Sequence, residues 1–268
     1  MSEAETAYAK INLALHVRER MDDGYHRVET IFAFCADGDP VSAEPADTFA
    51  LEVTGPFAGG LESRDNLVTK AAALLKNAYR TATSATIRLD KQLPVASGLG
   101  GGSADAAAAL RILNRLWGLN CRLERLEEIA RDLGADVPAC VRSEAMRGEG
   151  RGDDLQALDL GLSGTPVLLV NPRVELSTAE VFERWDGNDR GPLTDWRKGR
   201  NDLEPAASAL VPQIGSILAW LSVQPGVEVV RMSGSGATCF ALFEADAQRD
   251  RAATAVPREW WRLATSLR

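Results

Sequence analysis

Four glycines within five residues lead directly into an alanine-rich stretch between Pro94 and Leu110 (PVASGLGGGSADAAAAL). Glycine loses more backbone entropy on folding than other residues, but it allows positive φ angles and leaves backbone N–H groups uncovered. Such N–H groups at a helix N-terminus bind anions, because the helix dipole favours negative charge there. The stretch therefore predicts a phosphate-binding loop, with Ser103 as N-cap of a helix over 104–117.

This glycine loop fails the two commonest nucleotide-binding patterns. Walker A requires Lys and then Ser or Thr after its last glycine, and no Lys occurs between Pro94 and Leu110. A dinucleotide fingerprint beginning at Gly98 requires a glycine where Ser103 stands. By itself the loop therefore fits either a kinase or a nucleotide sensor.

Two further sets of polar side chains could do chemistry, although their local sequence patterns favour other roles. Residues 7–17 alternate between apolar and polar positions, which predicts a half-buried strand with Lys10 and Asn12 on one face. That face could line a binding site, but the alternation slightly favours a face exposed to solvent. Asp136 lies in a GADVP segment, where aspartate is usually a turn or cap residue.

Composition narrows the classes of partner. The 268 residues, 45% of them hydrophobic, are enough for two domains with separate cores. A net charge of −8 opposes nucleic-acid and anionic-membrane partners, because both recruit clustered Lys and Arg. The four cysteines and two histidines lack metal-site spacing, so we expect reduced thiols. Without a signal-peptide or membrane-span pattern, we expect a cytoplasmic protein.

The periodicity predicts an α+β chain with a first domain over 1–160 and a second over 161–268. In the first domain we expect a hairpin of the first strand with 28–34, strands at 49–54 and 85–89, a helix capped by Asp65 or Asn66, a helix at 123–133 and a loop at 146–155. In the second we expect strands at 167–170, 227–232, 237–243 and 260–267, helices at 179–185, 203–221 and 247–255, and a loop at 187–199. This order approximates a ferredoxin-like sandwich.

The loop motif PxxxGLGGGSAD resembles the phosphate-binding loop of the GHMP kinases, a family of small-molecule kinases. AKINL at 9–13 is similar to the N-terminal strand motif of that family, and MSGSGATCFAL at 232–242 to its C-terminal glycine motif. The resemblance implies a two-domain fold. Its N-terminal domain would be ribosomal protein S5 domain 2-like and bind ATP, and its C-terminal domain would be ferredoxin-like and lie on the substrate side.

The resemblance also implies catalytic and ATP-binding residues. Asp136 would bind the substrate hydroxyl and accept its proton, and Lys10 would lie beside it and offset charge on the phosphoryl oxygens. ATP would arrive as its Mg²⁺ complex and contact the loop. The ATP-binding residues so implied are Pro94, Val95, Ala96, Ser97, Gly98, Leu99, Gly100, Gly101, Gly102, Ser103 and Ala104.

Three further segments resemble those of the family members that phosphorylate the 2-hydroxyl of a cytidine diphosphate-linked methylerythritol. These segments are DGYHRVETIF, LGADVPAC and NDLEP. The likeness places Tyr25 and His26 at the cytosine, although both could simply belong to a hairpin turn. Thr178 and Phe182 match substrate-contacting positions four residues apart, with Phe182 either completing a cytosine sandwich or packing in the core. Asn12 is a further expected substrate ligand.

Three positions depart from the family pattern. Ala104 and Asp105 stand where Ser and Asn are often found, and Asp105 could serve as a carboxylate near the helix N-terminus or take part in magnesium binding. No metal ligand is assigned. Ser97, where glycine is common, should stiffen the loop slightly. The alternatives are another GHMP kinase, for homoserine, mevalonate or a sugar, and a non-catalytic nucleotide sensor on the same fold. We expect a monomer or a weak homodimer.

Overall fold

The chain forms two compact units, each built from three segments. The computed structural model describes residues 2–59, 61 and 65–268. The middle of the glycine loop, Ala96–Leu99, belongs to the second unit, and the residues on either side belong to the first. The first unit comprises Met1–Ala9, Asp37–Val95 and Gly100–Ser143, and the second comprises Lys10–Ala36, Ala96–Leu99 and Glu144–Arg268. The expected domain boundary near residue 160 stays a prediction.

Two long strands, β1 (Glu3–Arg20) and β2 (His26–Ala46), contribute residues to both units and pair as predicted. Both extend beyond the predicted strands. The slight preference for a solvent-facing Lys10 and Asn12 is wrong, since each residue is only 3% exposed. Ile11 and Leu13 on the opposite face are fully buried as well, so β1 is covered on both faces and its alternation in polarity does not mark a solvent side.

In the first unit, β2 pairs antiparallel with β4 (Ser84–Asp90), and β4 pairs parallel with β3 (Ala50–Thr54). Its helices are α1 (Leu67–Tyr79), α2 (Gly101–Leu116), α3 (Leu123–Ala130) and α4 (Val137–Arg142). The side chain of Asn66 accepts a hydrogen bond from the Val68 N–H at 2.9 Å, which confirms Asn66 as the cap of α1. The central alanines of α2 are fully buried, and α2 packs against α1 and α4.

The start of α2 differs from the prediction. Gly100, not Ser103, occupies the N-cap position, and its φ of 61° is left-handed. The helix begins at Gly101, so Ser103 lies inside the first turn. Gly100 is achiral and adopts this backbone without a Cβ penalty, and it therefore ends the loop three residues earlier than a serine cap would. The helix predicted at 123–133 likewise ends early, at Ala130.

The segment expected to be a loop at 146–155 contains a hairpin of β5 (Met146–Glu149) and β6 (Asp154–Ala157). β5 also pairs with β2, with Thr30 opposite Gly148. Glycines and charges concealed the period-two pattern of a strand. The charges of Arg147 and Glu149 are nevertheless compatible with it, because the two side chains bond to each other at 2.6 Å while Met146 is buried between strands.

The rest of the second unit is the predicted ferredoxin-like sandwich. Its strands β7 (Pro166–Asn171), β8 (Val227–Met232), β9 (Cys239–Phe243) and β10 (Trp261–Ser266) form an antiparallel sheet in the order β10-β7-β9-β8. Its helices are α5 (Thr178–Glu183), α6 (Glu204–Leu210), α7 (Gln213–Ser222) and α8 (Asp246–Ala255). The single helix predicted at 203–221 is wrong, because Pro212 has no N–H to continue α6.

The core of this sandwich lies between the sheet and its helices and is formed by buried aliphatic and aromatic side chains, among them Leu168, Val170, Ile214, Ile217 and Phe243. The expected loop at 187–199 has neither helix nor strand. No helix in the described part of the chain is long and apolar enough to cross a bilayer.

Candidate active site

The backbone of the glycine loop alternates in conformation. Ala96, Gly98 and Gly100 have φ angles of 49°, 77° and 61°, while the residues between them do not have positive φ. Alternation of left-handed with other backbone conformations turns successive N–H groups toward one side and forms a concave anion-binding nest. Because α2 begins directly after Gly100, its N-terminal N–H groups follow the loop. The conformation therefore supports the phosphate-binding prediction.

In the second unit, the middle of the loop bonds to both of the other motifs that resemble GHMP kinases. The backbone N–H of Lys10 donates to the Leu99 carbonyl at 2.9 Å, which connects the loop to β1. The Ser233 hydroxyl donates to the Gly98 carbonyl at 2.8 Å, which connects the loop to the C-terminal glycine motif. Segments far apart in sequence thus fix one another in space.

Lys10 is held by a short hydrogen-bonded chain that spans β1 and β2. Its Nζ donates to Asn12 Oδ1 at 3.0 Å, and Asn12 Nδ2 donates to Thr30 Oγ1 at 2.8 Å. The Thr30 hydroxyl in turn donates to the Ala14 carbonyl at 2.7 Å. Lys10 Nζ also lies 5.3 Å from the ring centre of Phe32. The side chain of Asn12 thus orients Lys10, and its expected contact with substrate stays a prediction.

Replacing Gly98 with alanine should lower the free energy of unfolding by about 1–3 kcal/mol. A Cβ at this position would lie 2.3 Å from the Ser233 carbonyl oxygen, and the φ of 77° disfavours any residue with a side chain. Gly102→Ala is the matched control, because there a Cβ would meet only Leu67 Cδ1, at 3.7 Å. Urea titration of both variants measures the difference, and equal stability of the two would contradict this account of the loop.

Aromatic rings cluster around His26. Its ring centre lies 4.9 Å from that of Phe182, with the planes tilted by 37°, and 5.6 Å from that of Trp185, which meets it edge-on. Tyr25 is 55% exposed, and the Arg151 guanidinium lies 4.2 Å from its ring centre. The structure therefore brings His26 and Phe182 into contact, and their binding of cytosine stays a prediction. Trp185 was not predicted as a site residue, although it follows Phe182 by three residues, just beyond the end of α5.

Burial lowers the pKa of His26, and the positive charge of Arg20 lowers it further. The imidazole is therefore neutral at neutral pH and offers one N–H donor and one acceptor nitrogen. That pair of groups suits the edge of a nucleobase, which also presents donors and acceptors side by side.

Thr178 and Phe182 lie in α5, where Thr178 is the first residue. The Thr178 hydroxyl and the Ser235 hydroxyl share a hydrogen bond of 2.9 Å, so α5 begins beside the C-terminal glycine motif. Phe182 is partly buried and packs against the core of the second unit. Both roles considered for Phe182 are therefore compatible with its position, since the same ring contacts His26.

Asp136 lies in the first unit, at the N-cap position of α4, with Pro138 in the first turn of that helix. The expected turn or cap position is therefore confirmed. Val137 and Pro138 are buried and fix the backbone directly after the carboxylate. The role of Asp136 as a base, and its pairing with Lys10, stay predictions.

Asp105 does not fit a magnesium ligand. Its Oδ2 accepts a hydrogen bond from Lys91 Nζ at 2.7 Å, and a buried ammonium group repels a divalent cation. Within the described ranges, no group of three or more His, Cys, Asp or Glu side chains could hold a metal ion.

Comparison with known proteins identifies the family. The family model described as GHMP kinases N terminal domain matches residues 66–144, and the family model described as GHMP kinases C terminal matches residues 189–263. A protein of Rhizorhabdus wittichii named 4-diphosphocytidyl-2-C-methyl-D-erythritol kinase is 53% identical, over 100% of this chain and 96% of its own. The chain belongs to the GHMP kinase family.

A second relative and a solved structure support the same family. A protein of Novosphingobium aromaticivorans with the same kinase name is 51% identical to this GHMP kinase, over 100% of the chain and 94% of its own. A crystal structure of 4-(cytidine 5'-diphospho)-2C-methyl-D-erythritol kinase is 32% identical, with a TM-score of 0.84 over 100% of this chain and 99% of the other. The predicted two-domain GHMP kinase fold is confirmed. The chain is an enzyme, so the non-catalytic sensor is not supported.

Proposed function

We propose that this GHMP kinase transfers the γ-phosphoryl group of ATP to the 2-hydroxyl of 4-diphosphocytidyl-2-C-methyl-D-erythritol. The products are the 2-phosphate and ADP, in the non-mevalonate route to isoprenoid precursors. The observation that carries the proposal is the ring pair of His26 and Phe182 in a chain 53% identical, over its full length, to a kinase named for this substrate. Homoserine, mevalonate and simple sugars have no base for such a ring pair to bind.

The glycine loop, residues 94–104, binds the ATP phosphates. The alternating backbone of the loop and the N-terminus of α2 direct N–H groups toward a bound anion. Because this loop has no lysine of its own, Lys10 and the Mg²⁺ that accompanies ATP neutralise the remaining charge. The ion would enter with the nucleotide, as the Mg²⁺ complex of ATP.

Asp136 acts as the general base. Its carboxylate accepts the proton of the 2-hydroxyl as that oxygen bonds to the γ-phosphorus and the bond to the leaving ADP oxygen breaks. A tertiary alcohol is a poor nucleophile, and a positioned base accelerates such a step by roughly 10²–10⁴-fold. Lys10, oriented by Asn12 and Thr30, stabilises the charge that develops on the transferred group.

The cytidine end of the substrate lies against the second unit. Tyr25 and Phe182 stack on the two faces of cytosine, and the neutral His26 bonds to its edge. Thr178 and Asn12 contact the same substrate through their polar side chains. The hairpin-turn reading of Tyr25 and His26 is compatible with this role, because turns commonly carry binding residues.

Replacing His26 with alanine should raise KM for the cytidine substrate by about tenfold or more and leave KM for ATP within about twofold. The variant loses both the ring contact with Phe182 and the bonds to the base. Trp260→Ala serves as control, because the described ring contact of Trp260, edge-on at 6.0 Å, is with Trp220 in the same unit. Steady-state kinetics with each substrate varied in turn measures both constants. An equal rise in both KM values would remove His26 from the site.

Phosphorus NMR of the product tests the reaction itself. The carbon that bears the 2-hydroxyl carries a methyl group and no hydrogen, so a phosphate on it shows no coupling to a proton three bonds away. We expect one new phosphomonoester resonance without proton splitting. A split resonance would show that a primary or secondary hydroxyl was phosphorylated, and would contradict the proposed position.

We also propose that the enzyme works in the cytoplasm as a monomer or weak homodimer, without nucleic-acid or membrane partners. The net charge of −8 supports the absence of nucleic-acid and membrane partners, because it opposes binding to anionic surfaces. Sedimentation over a range of protein concentrations tests the oligomeric state, and a stable larger assembly would contradict it.

A further inference from the structure

A buried cluster of three charges lies in the first unit, outside the residues assigned above. Lys91 Nζ donates to Asp39 Oδ2 at 2.5 Å and to Asp105 Oδ2 at 2.7 Å. The exposed fractions of the three side chains are 2%, 0% and 5%. Burying one lysine between two carboxylates rarely stabilises a protein more than apolar side chains of the same volume would. Stability alone therefore does not explain the cluster.

The side chains of the cluster contact the residues at both ends of the glycine loop. Asp39 Oδ1 accepts hydrogen bonds from the backbone N–H groups of Gln92 at 2.6 Å and Leu93 at 2.8 Å, directly before the loop. Lys91 reaches the other end, where a Cβ on Gly101 would lie 2.9 Å from its Nζ. Asp105 lies one turn into α2. A single ammonium group thus ties the segment that enters the loop to the helix that leaves it.

We propose that Lys91, paired with Asp39 and Asp105, is a positioning residue for ATP, and that the net charge of this cluster sets how tightly the loop binds the phosphates. The inference rests on the proposed ATP-binding role of the loop. Misplacement of a binding group by about 1 Å can cost roughly 10²-fold in rate, so a link between the loop ends has a direct effect on the bound nucleotide.

The charge of the cluster changes with the protonation of Asp105. Oδ1 of this side chain has no hydrogen-bond partner among the described residues. Burial, together with the nearby carboxylate of Asp39, raises the pKa of Asp105 to about 7, against the attraction of Lys91. Lys91 and Asp39 are the charged groups with the largest effects on the pKa of Asp105. The cluster is neutral when Asp105 is protonated and carries one negative charge when it is not, so rising pH should weaken the binding of anionic ATP.

The first test compares the wild type with Asp105→Asn. The amide oxygen can still accept from Lys91, but the side chain no longer titrates. Between about pH 6 and about pH 8, KM for ATP should rise about fivefold more in the wild type than in the variant, since only the wild type gains a negative charge near the phosphates. KM for the cytidine substrate should follow the same profile in both. An equal rise in KM for ATP with pH in the wild type and in Asp105→Asn would overturn the proposal. A purely structural Asp105 would leave the pH dependence of that KM unchanged by the substitution.

The second test breaks the link. Lys91→Met combined with Asp105→Asn leaves Asp39 as the sole carboxylate, still bonded to two N–H groups. Compared with Asp105→Asn alone, the double variant should raise KM for ATP by about tenfold and retain kcat at saturating ATP. A folded double variant with unchanged KM for ATP would overturn the link, and if the double variant does not fold, the first test decides.

Nucleotide binding measured without acceptor separates failure of this inference from failure of the proposed function. A fluorescent ATP analogue should bind the wild type with the same loss of affinity on raising the pH, and Asp105→Asn should remove that loss. If the analogue binds but its affinity is equally pH-dependent in both proteins, the inference fails and the reaction stands. If the analogue does not bind the wild type at all, the ATP-binding role of the loop fails with it.

Discussion

Asp136→Asn should lower kcat by at least about 10²-fold while KM for ATP changes by less than about twofold. The amide has nearly the size and shape of the carboxylate, but it cannot accept the proton of the 2-hydroxyl. Because the substitution removes an interaction needed only as the hydroxyl reacts, the loss should fall on turnover and not on nucleotide binding.

Asp132→Asn is the matched control for this variant, since Asp132 is an exposed aspartate a few residues earlier in the same unit. Its turnover should equal that of the wild type. Near-normal turnover of Asp136→Asn would mean that another group takes the proton, and the assignment of the base would be wrong.

Lys10→Met should lower kcat by roughly 10²–10³-fold, as expected for losing a buried positive group that stabilises transition-state charge. Methionine has a similar length and no charge, so it can occupy the space between Asn12 and Phe32 that the lysine stem fills. The thermal unfolding temperature should therefore change little, which separates a chemical effect from loss of fold.

Lys70→Met provides the comparison for Lys10, because Lys70 is 48% exposed on α1 and pairs only with Asp65 at 3.3 Å among the contacts described. Single-turnover measurement of phosphoryl transfer gives the chemical step directly. A Lys10→Met enzyme that transfers phosphate at the wild-type rate would show that the neutralising charge comes from elsewhere.

The glycine loop and the order of the second sheet could be predicted because each depends on local sequence. Left-handed backbone at Gly98 and Gly100 favours glycine for steric reasons that hold in any fold. The alternation and spacing of strands and helices after residue 161 sufficed for a ferredoxin-like order. The single helix predicted over 203–221 missed the break at Pro212, although proline inside a helix removes a hydrogen bond and the sequence therefore contained that signal.

Other parts of the site depend on contacts between distant segments. Lys91 pairs with Asp39, 52 residues away, and with Asp105, so nothing near Lys91 in the sequence marks it. Thr30 holds Asn12 only because β2 lies beside β1. The burial of Lys10 has the same cause, since polar residues on a strand face look alike whether protein or water covers them.

An ADP-release assay with the purified enzyme and three acceptors in parallel tests the central claim most directly. With ATP and Mg²⁺ present, 4-diphosphocytidyl-2-C-methyl-D-erythritol should give rapid ADP release, and mevalonate and homoserine should give only the background of ATP hydrolysis. Release of ADP with mevalonate or homoserine, and none with the cytidine substrate, would contradict the proposed function.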